Sequence, residues 1–144
     1  MSELCVDASI VVKLVLHGEP HRPLARKLVQ DALANQVALI APPYFEAEVD
    51  TVICKRLHSG RLSVREARAA FVGLDKVPVQ LLTDPQLRQH AREFAERFNQ
   101  HTVYDCTYAA LAELRGCDFW TADKVFYDAV KSALSFVKYL PDYS

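Results

Sequence analysis

The sequence lacks several patterns that would identify a redox, zinc or nucleotide-binding protein. It has only four cysteines in 144 residues, and none of them forms a C-x-x-C pair. A chain of this length needs no disulfide framework, so we expect reduced and mostly buried cysteines. There is no G-x-G-x-x-G and no P-loop, so nothing in the sequence supports a phosphate cradle.

Signals for export and for membrane insertion are also missing. Residues 1–3 carry no basic charge, and no apolar run is long enough to span a bilayer. We therefore expect a cytoplasmic protein with no export signal and no membrane segment. The net charge of -1 neither indicates nor excludes nucleic-acid binding, because acids at a metal and bases at the rim of a site cancel in the sum.

The histidines give no zinc pattern either. His17 and His21 are spaced H-x-x-x-H, but Gly18 and Pro20 lie between them and make one helical face improbable. Glu19 is displaced from the position that a zinc protease requires, and no cysteine is close enough in sequence to complete a zinc site. We interpret the pair as loop residues.

The composition suits one compact unit. Hydrophobic residues make up 51% of the sequence and charged residues 24%, which allows one substantial core without staples. We therefore expect a single domain over residues 1–144.

Short apolar segments alternate with segments of helical periodicity. The predicted strands are Leu4–Val6, Val37–Ile40, an edge strand at Leu81–Leu82, Phe119–Trp120 and Phe136–Val137. The predicted helices are Ile10–Leu16, Pro23–Leu33, Tyr44–Leu57, one from the Ser63 cap to Phe71, Gln86–Phe98, Val103–Arg115 and Lys124–Ala133. This order predicts an α/β fold, a sandwich with a mainly parallel central sheet.

Two acidic residues come directly after predicted strands. Asp7 follows the first strand, and Asp123 follows Phe119–Trp120 and Thr121. Sites in parallel sheets form outside the carboxyl ends of the strands, so these two carboxylates are expected at one rim. Each is also a plausible cap or turn residue, and position alone leaves that alternative open.

Further acids lie in two helices. Asp105 follows Thr102 in the S/T-x-x-D/E pattern of a capping box, so capping competes with a functional role. Glu46, Glu48 and Asp50 share the helix after Pro43, and periodicity does not choose between the first two. A solvated acidic face is the simpler interpretation of any one of them.

A cluster of such carboxylates would need a cation. Like charges raise one another's pKa, and a bound divalent ion can hold the group ionised. Ligands that are all oxygen favour Mg²⁺ or Mn²⁺ over zinc. Basic residues around one helix junction offer either a solvated surface or a phosphate contact: Lys55, Arg56, Arg61, Arg65 and Arg68.

Four segments in this order resemble the PIN-domain family, especially the VapC-type toxin ribonucleases. The segments are Val6-Asp7-Ala8-Ser9; Ala41-Pro42-Pro43 followed by Ala47-Glu48-Val49; Thr102-Val103-Tyr104-Asp105 with Tyr108–Glu113; and Thr121-Ala122-Asp123-Lys124. The resemblance spans nearly the whole chain. It selects Glu48 over Glu46, and it implies a three-layer α/β/α sandwich. One departure is Thr51, where the family often has asparagine.

The resemblance implies metal-dependent hydrolysis of RNA phosphodiester bonds. Asp7, Glu48, Asp105 and Asp123 would be the catalytic residues and would hold Mg²⁺ or Mn²⁺, with Ser9 and Thr121 supporting them by hydrogen bonds. The chain would then be the toxin of a toxin–antitoxin pair, with an RNA substrate, a cognate antitoxin protein and a homodimeric state.

Two other functions remain open from the sequence. One is a non-catalytic PIN-like module that binds RNA or protein. The other is a receiver-type protein that uses Asp7 as phospho-acceptor, although Ser9 stands where such proteins have a second acid.

Overall fold

The computed structural model describes residues 2–144 and has a five-stranded parallel sheet. The strands are β1 (Glu3–Val6), β2 (Ala38–Ala41), β3 (Val79–Leu81), β4 (Asp118–Thr121) and β5 (Val137–Tyr139). They are ordered β3-β2-β1-β4-β5, and every pairing among the described residues is parallel. The predicted α/β/α fold is confirmed, and β3 is an edge strand as predicted, although it runs from Val79 to Leu81 and not over Leu81–Leu82.

The helices lie between the strands. They are α1 (Ala8–Val15), α2 (Arg22–Ala34), α3 (Phe45–His58), α4 (Val64–Leu74), α5 (Leu87–Arg97), α6 (Tyr104–Arg115) and α7 (Lys124–Val130), with a 3₁₀ turn at Leu140–Asp142. The predicted helices correspond to these. α4 extends beyond Phe71, whereas α7 ends before Ala133. No helix within residues 2–144 is long and apolar enough to cross a membrane.

The helices form two layers, one on each face of the sheet. α1 packs against α2, α3 and α4, whereas α5 packs against α6. Parallel connections are right-handed, so the chain that moves outward from β1 to β3 covers one face. The connection from β3 to β4 runs in the opposite direction and covers the other face.

Local signals set several boundaries. Ser63 Oγ accepts from the Glu66 N–H while Glu66 accepts from the Ser63 N–H, so the predicted capping box is present at the start of α4. Gly116 adopts a left-handed conformation (φ 68°) and ends α6 directly after Arg115, where the predicted helix also ends.

The core lies where the central strands meet the helices. Val6, Ile40 and Phe119 are fully buried on the three middle strands. α6 is buried along much of its length, through a run from Cys106 to Ala112, and it contacts β1 and β4. The helix is therefore held firmly against the strands whose ends carry Asp7 and Thr121.

The cysteines largely match expectation. Cys5 and Cys106 are buried, Cys117 is half-buried, and all four are free thiols. Cys54 is exposed, contrary to the general expectation of burial, because it lies on the solvent side of α3.

The sheet order creates a crevice beside β1. Successive strands leave β1 in one direction, through β2 and β3, and β4 then pairs on its other side. Connections at the carboxyl ends of β1 and β4 therefore diverge to opposite faces. Val6 pairs with Trp120, so Asp7 and Thr121 are brought together at this divergence, the usual position of sites in parallel sheets.

Candidate active site

Asp7 lies at the centre of the carboxylate rim and is almost fully buried, with 4% of its surface exposed. It is the N-cap of α1, and its Oδ1 accepts from the Ile10 N–H at 3.3 Å. Ser9 Oγ donates to the same oxygen. The capping role considered from the sequence is therefore present, and it fixes the carboxylate within the crevice.

Thr121 joins β4 to this carboxylate. Its hydroxyl donates to Asp7 Oδ2 at 2.6 Å and accepts from the Asp123 N–H at 3.0 Å. Ser9 Oγ likewise accepts from the Ala122 N–H at 3.0 Å. Two hydroxyls thus connect the end of β1 with the turn after β4, which makes the position of Asp7 depend on both segments.

Asp123 lies at the opening of the next helix. It is the N-cap of α7, where Oδ1 accepts from the Phe126 N–H at 3.1 Å. This bond holds the side chain at the rim, and the side chain is only half-buried. Asp123 therefore combines the capping geometry and the site position that the sequence left as alternatives.

Asp105 does not belong to a capping box. α6 begins at Tyr104 with Val103 as its N-cap, and neither Thr102 nor any other side chain caps it. The capping prediction for Thr102 is wrong because the helix starts one residue later than the pattern requires. The Asp105 carboxylate instead lies among the other acids. It forms a hydrogen bond with Asp123, and the charges of Asp7, Asp123 and Glu48 help to raise its pKa.

Glu48 lies near the start of α3 and is held by a tyrosine. Tyr108 Oη donates to Glu48 Oε1 at 3.1 Å, across the space between α6 and α3. Glu46 and Asp50 are exposed on the same helix and line a separate groove with Phe45 and Val49. Glu48 therefore lies in the carboxylate cluster, whereas Glu46 and Asp50 face a different groove. Helical periodicity alone did not distinguish Glu48 from Glu46.

The four carboxylates interact electrostatically. Burial, followed by the charges of Asp7 and Asp123, a hydrogen bond with Asp123 and the charge of Glu48, raises the pKa of Asp105 to about 8. Burial also raises the pKa of Asp7 to about 6, opposed by hydrogen bonds from Ser9 and Thr121 and assisted by the charge of Asp123. Burial and the neighbouring charges raise these pKa values because a negative charge is costly in a poorly hydrated space that already holds others.

Glu48 responds to the same environment. Burial raises its pKa, the hydrogen bond from Tyr108 lowers it, and the Asp7 charge raises it. The Tyr108 phenol is itself raised well above its ordinary pKa, first by burial and then by the Glu48 charge. Tyr108 therefore remains a neutral hydrogen-bond donor at any physiological pH.

The carboxylates share one region without closing on one point. Within residues 2–144, no three His, Cys, Asp or Glu side chains converge closely enough to hold a metal ion. Several Asp7 bonds are already made to protein hydroxyls and a backbone amide. The donor set nevertheless consists of oxygens alone, the chemistry that suits Mg²⁺ and Mn²⁺.

Other candidates from the sequence lie away from the rim. Thr51 donates to Ala47 O at 2.7 Å on its own exposed helix face, so it makes no polar contact with the cluster. Asp118 and Asp128 are exposed, as expected. His21 has a left-handed backbone (φ 59°) before α2, which excludes the continuous helical face that a His17–His21 ligand pair would need.

The basic residues near the junction of α3 and α4 divide into two kinds. Arg56 pairs with Glu19 at 2.9 Å and is partly buried, which is a structural contact. Lys55, Arg61, Arg65 and Arg68 are exposed. Lys55 and Arg61 line a shallow groove at the far end of α3 from Glu48.

Sequence reasoning did not identify two tyrosines of the site. Tyr108 lies one helical turn after Asp105, a spacing that could have suggested a shared face. Tyr44 precedes α3, and burial raises its pKa to about 12, with the charges of Glu48 and Asp105 contributing. Nothing in its local sequence indicated that position, because the contact depends on α6 reaching the start of α3.

Comparisons with known proteins agree with the fold described above. Residues 4–131 match the PIN domain family. The crystal structure of PAE2754 from Pyrobaculum aerophilum is similar, with a TM-score of 0.64 and 25% identity over 93% of this chain and 95% of that chain. The crystal structure of Mycobacterium tuberculosis VapC20, described as a sarcin-ricin loop cleaving toxin, has a TM-score of 0.62 and 18% identity over 94% and 98%. No match is found among curated proteins.

Proposed function

This chain belongs to the PIN domain family, and we propose that it is a metal-dependent endoribonuclease of the VapC type. The observation that carries the proposal is the meeting of four carboxylates from separate parts of the chain at the carboxyl rim of a parallel sheet. The charges of other acids in this set help to raise the pKa of Asp7, Glu48 and Asp105. A protein without a cation to bind gains nothing from such repulsion.

The donor set fits Mg²⁺ or Mn²⁺, and these four residues would hold the ion. When bound, such an ion supplies Lewis-acid stabilisation of the charge that develops on a phosphodiester during hydrolysis. The all-oxygen ligands and the raised pKa of Asp105 are the features of this chain that match it.

The other residues position the carboxylates. Ser9 and Thr121 occupy both oxygens of Asp7, so its plane is fixed by the start of α1 and the end of β4 together. Tyr108 fixes one oxygen of Glu48. Because the hydroxyls of Thr121 and Tyr108 belong to other elements than the acids that they contact, the site is organised before any substrate arrives.

A carboxylate at this rim also takes the proton of the reaction. Water attacks phosphorus and gives one proton to a carboxylate oxygen; the bond from phosphorus to the leaving oxygen breaks, and that oxygen takes a proton from solvent. Asp105, which is less deeply buried than Asp7, is a candidate for this role. Its position at the first turn of α6 keeps it within the cluster.

The biological setting follows from the same proposal. As a VapC-type toxin, the protein would act on RNA in the cytoplasm as a single PIN domain over residues 1–144. A cognate antitoxin would block the carboxylate rim, and the protein would form a homodimer. The fold similarity to VapC20 supports this proposed role. The sarcin-ricin loop is the target named for VapC20, and we do not assign it to this chain.

One observation favours a second candidate, a PIN-like module that binds RNA or protein without cleaving. The carboxylates among residues 2–144 do not converge as a formed metal site. Calorimetric titration with Mn²⁺ separates the two candidates. Binding that is lost in Asp105→Asn supports the nuclease, whereas no binding to the wild-type protein supports the module.

Cleavage of RNA is the decisive experiment. Structured and single-stranded RNAs are incubated with Mn²⁺, Mg²⁺ or EDTA, and the wild type is compared with Asp7→Asn and Asp105→Asn. Asp118→Asn is the matched control, because it removes one charge from an exposed position at the start of β4. We expect metal-dependent cleavage in the wild type and the control only. Equal cleavage by all four proteins would refute the assignment.

A further inference from the structure

A cavity of about 440 Å³ adjoins the carboxylate cluster and is not used by the chemistry described above. It lies between the start of α3, the segment after β3, one side of α5 and the start of α6. Its volume is in the range of roughly 300–1,000 Å³ that is typical of small-ligand sites. It therefore has room for a group of the size of one nucleotide.

Residues of the cavity wall place it beside the cluster. Tyr44 lines the cavity, and the charges of Glu48 and Asp105 contribute to the raised pKa of its phenol. Tyr44 also lies one helical turn before Glu48, whose N–H donates to the Tyr44 carbonyl at 3.1 Å. A polymer whose phosphodiester bond reaches the cluster would thus carry its neighbouring residue past this cavity.

The walls combine apolar surface with positive charge. Leu87 and Ala91 are buried and form part of the lining, while Arg88 and Arg92 are exposed one helical turn apart on α5. Neither arginine forms an ion pair within residues 2–144. One acid, Asp84, also lines the cavity, and its carboxylate accepts from the Gln86 N–H at 2.8 Å.

Tyr44 brings a polar group without a partner to this wall. Its Oη is buried and has no hydrogen bond, although the Thr107 hydroxyl is close enough to oppose the rise of its pKa. Thr107 itself donates to Val103 O at 2.7 Å. A buried hydroxyl without a partner is unfavourable, so a ligand that supplies an acceptor would relieve this cost.

An aromatic surface continues from Tyr44 to the solvent. The ring of Tyr104 meets the Tyr44 ring edge-on, with centroids 5.6 Å apart, and 53% of Tyr104 is exposed. Val103, at the mouth of the cavity, is 42% exposed. Exposed aromatic rings beside cationic side chains are the combination that binds single-stranded nucleic acid, through stacking and phosphate contacts.

We propose that this cavity binds one nucleotide of the RNA strand next to the scissile bond. The base lies against Leu87, Ala91 and the ring of Tyr44, and a small shift of that ring on binding lets the Tyr44 Oη donate to an acceptor on the base. Arg88 and Arg92 contact the adjoining phosphate. The proposal rests on the proposed ribonuclease function and adds the residues that select and position the strand.

Charge reversal on α5 tests the phosphate contact. The double variant Arg88→Glu/Arg92→Glu changes two exposed side chains, and Arg26→Glu on α2 is the control for an arginine outside the cavity. With the RNA that the wild type cleaves best, we expect KM to rise at least about tenfold in the double variant. The salt dependence of binding should weaken by a slope of about 0.7, since the two arginines share one phosphate and each single-strand phosphate contact contributes about 0.7. Mn²⁺ affinity should be unchanged.

Removal of a single oxygen tests the base contact. Tyr44→Phe keeps the ring and removes the donor, so we expect the preference for one base beside the cleaved bond to fall about three- to tenfold. Tyr127→Phe is the matched control, because this half-buried tyrosine belongs to α7 and does not line the cavity. Unchanged base preference in Tyr44→Phe would overturn the role of this residue.

Nucleoside 5′-monophosphates separate this proposal from the proposed function. AMP, CMP, GMP and UMP are titrated in EDTA, where no cleavage occurs, and we expect at least one to shift the NMR signals of Thr107 and Ala91. This binding should be lost in the double variant. Binding of a nucleotide by a protein that neither binds Mn²⁺ nor cleaves RNA would support the cavity and refute the nuclease. Cleavage by the double variant with an unchanged KM would overturn the cavity and leave the nuclease intact.

Discussion

Replacing Asp105 by asparagine tests the electrostatic account of the site without an RNA substrate. Asp105 titrates at about 8 in the folded protein, above its ordinary value of 3.8, because it is buried among other carboxylates. In the unfolded chain it titrates near the ordinary value. Between these two values, the folded state holds a proton that the unfolded state has released.

This difference fixes the sign of the pH effect. The stability that Asp105 contributes is fully present below pH 4 and is lost as the pH rises through about 8. One proton held by the folded state alone lowers the free energy of unfolding by at most about 1.4 kcal/mol per pH unit. A rise from pH 5 to pH 8 therefore costs up to about 4 kcal/mol, a large part of the roughly 5–15 kcal/mol that stabilises a typical domain.

The assay is urea denaturation in EDTA at pH 5 and at pH 8. We expect the wild type to lose stability over this range and Asp105→Asn to lose much less, so that the variant is the more stable protein at pH 8. Saturating Mn²⁺ should remove most of the wild-type loss, because the ion neutralises the same cluster. Asp118→Asn, an exposed change, should follow the wild type.

Other titrating groups do not obscure this comparison. The carboxylates with lowered pKa, such as Asp128 beside Lys124 and Lys131, lose their contribution only as the pH falls toward their own low values. Asp7, whose pKa burial also raises to about 6, is present in both the wild type and the variant, so the stability that it loses with rising pH is common to them. The same pH dependence in wild type and Asp105→Asn would show that Asp105 is not held among charges and would refute the reasoning.

Three further substitutions test the supporting contacts. Tyr108→Phe removes the donor to Glu48, and we expect Mn²⁺ affinity, measured by calorimetry, to fall about 10- to 100-fold, as for other groups that orient metal ligands. Thr121→Val leaves Asp7 Oδ2 without its 2.6 Å partner and should lower the free energy of unfolding at pH 8 by about 1–3 kcal/mol; a protein as stable as wild type would show that the bond is dispensable. Ser63→Ala breaks the capping box of α4 and should cost about 1 kcal/mol by denaturation while RNA cleavage stays unchanged.

Features that depend on neighbouring residues were predictable from the sequence. The capping box at Ser63 and the left-handed Gly116 are determined within one turn of chain, and both are present. The parallel sheet followed from alternating strands and helices, and its topology brought Asp7 and Asp123 to one rim. In these cases local propensity and tertiary structure favour the same result.

The Thr102 pattern failed for a tertiary reason. Thr102-Val103-Tyr104-Asp105 has the composition of a capping box, yet α6 begins at Tyr104. The position of α6 is set by its packing against β1 and β4. A capping bond would contribute about 1 kcal/mol, much less than burial of the run from Cys106 to Ala112. The packing of α6 therefore decides where Asp105 lies.

The roles of Tyr108 and Tyr44 could not be predicted from the sequence, because they depend on partners that are distant along the chain. Tyr108 and Glu48 are far apart in sequence and meet only because α6 packs beside the start of α3. The same approach buries Tyr44 Oη against Thr107. A single sequence carries no register between α3 and α6, so no pattern within either helix predicts these contacts.

The hydrogen bonds of Asp7 make it a less discriminating site for mutation than Asp105. Oδ1 accepts from Ser9 and Ile10, and Oδ2 accepts from Thr121, so every observed partner is a donor. An asparagine that keeps Oδ1 toward Ser9 and Ile10 turns its NH₂ group toward the Thr121 hydroxyl, which must then accept instead of donate, so the hydrogen bonds of the rim rearrange whether or not a cation binds. Oδ1 has both lone pairs engaged, which leaves Oδ2 as the oxygen of Asp7 that can still bind a cation. Inactivity of Asp7→Asn is therefore also expected from rearrangement at the rim, whereas Asp105→Asn relieves repulsion and stabilises the fold at pH 8. Loss of cleavage in a protein that has become more stable can be assigned to the chemistry of the site.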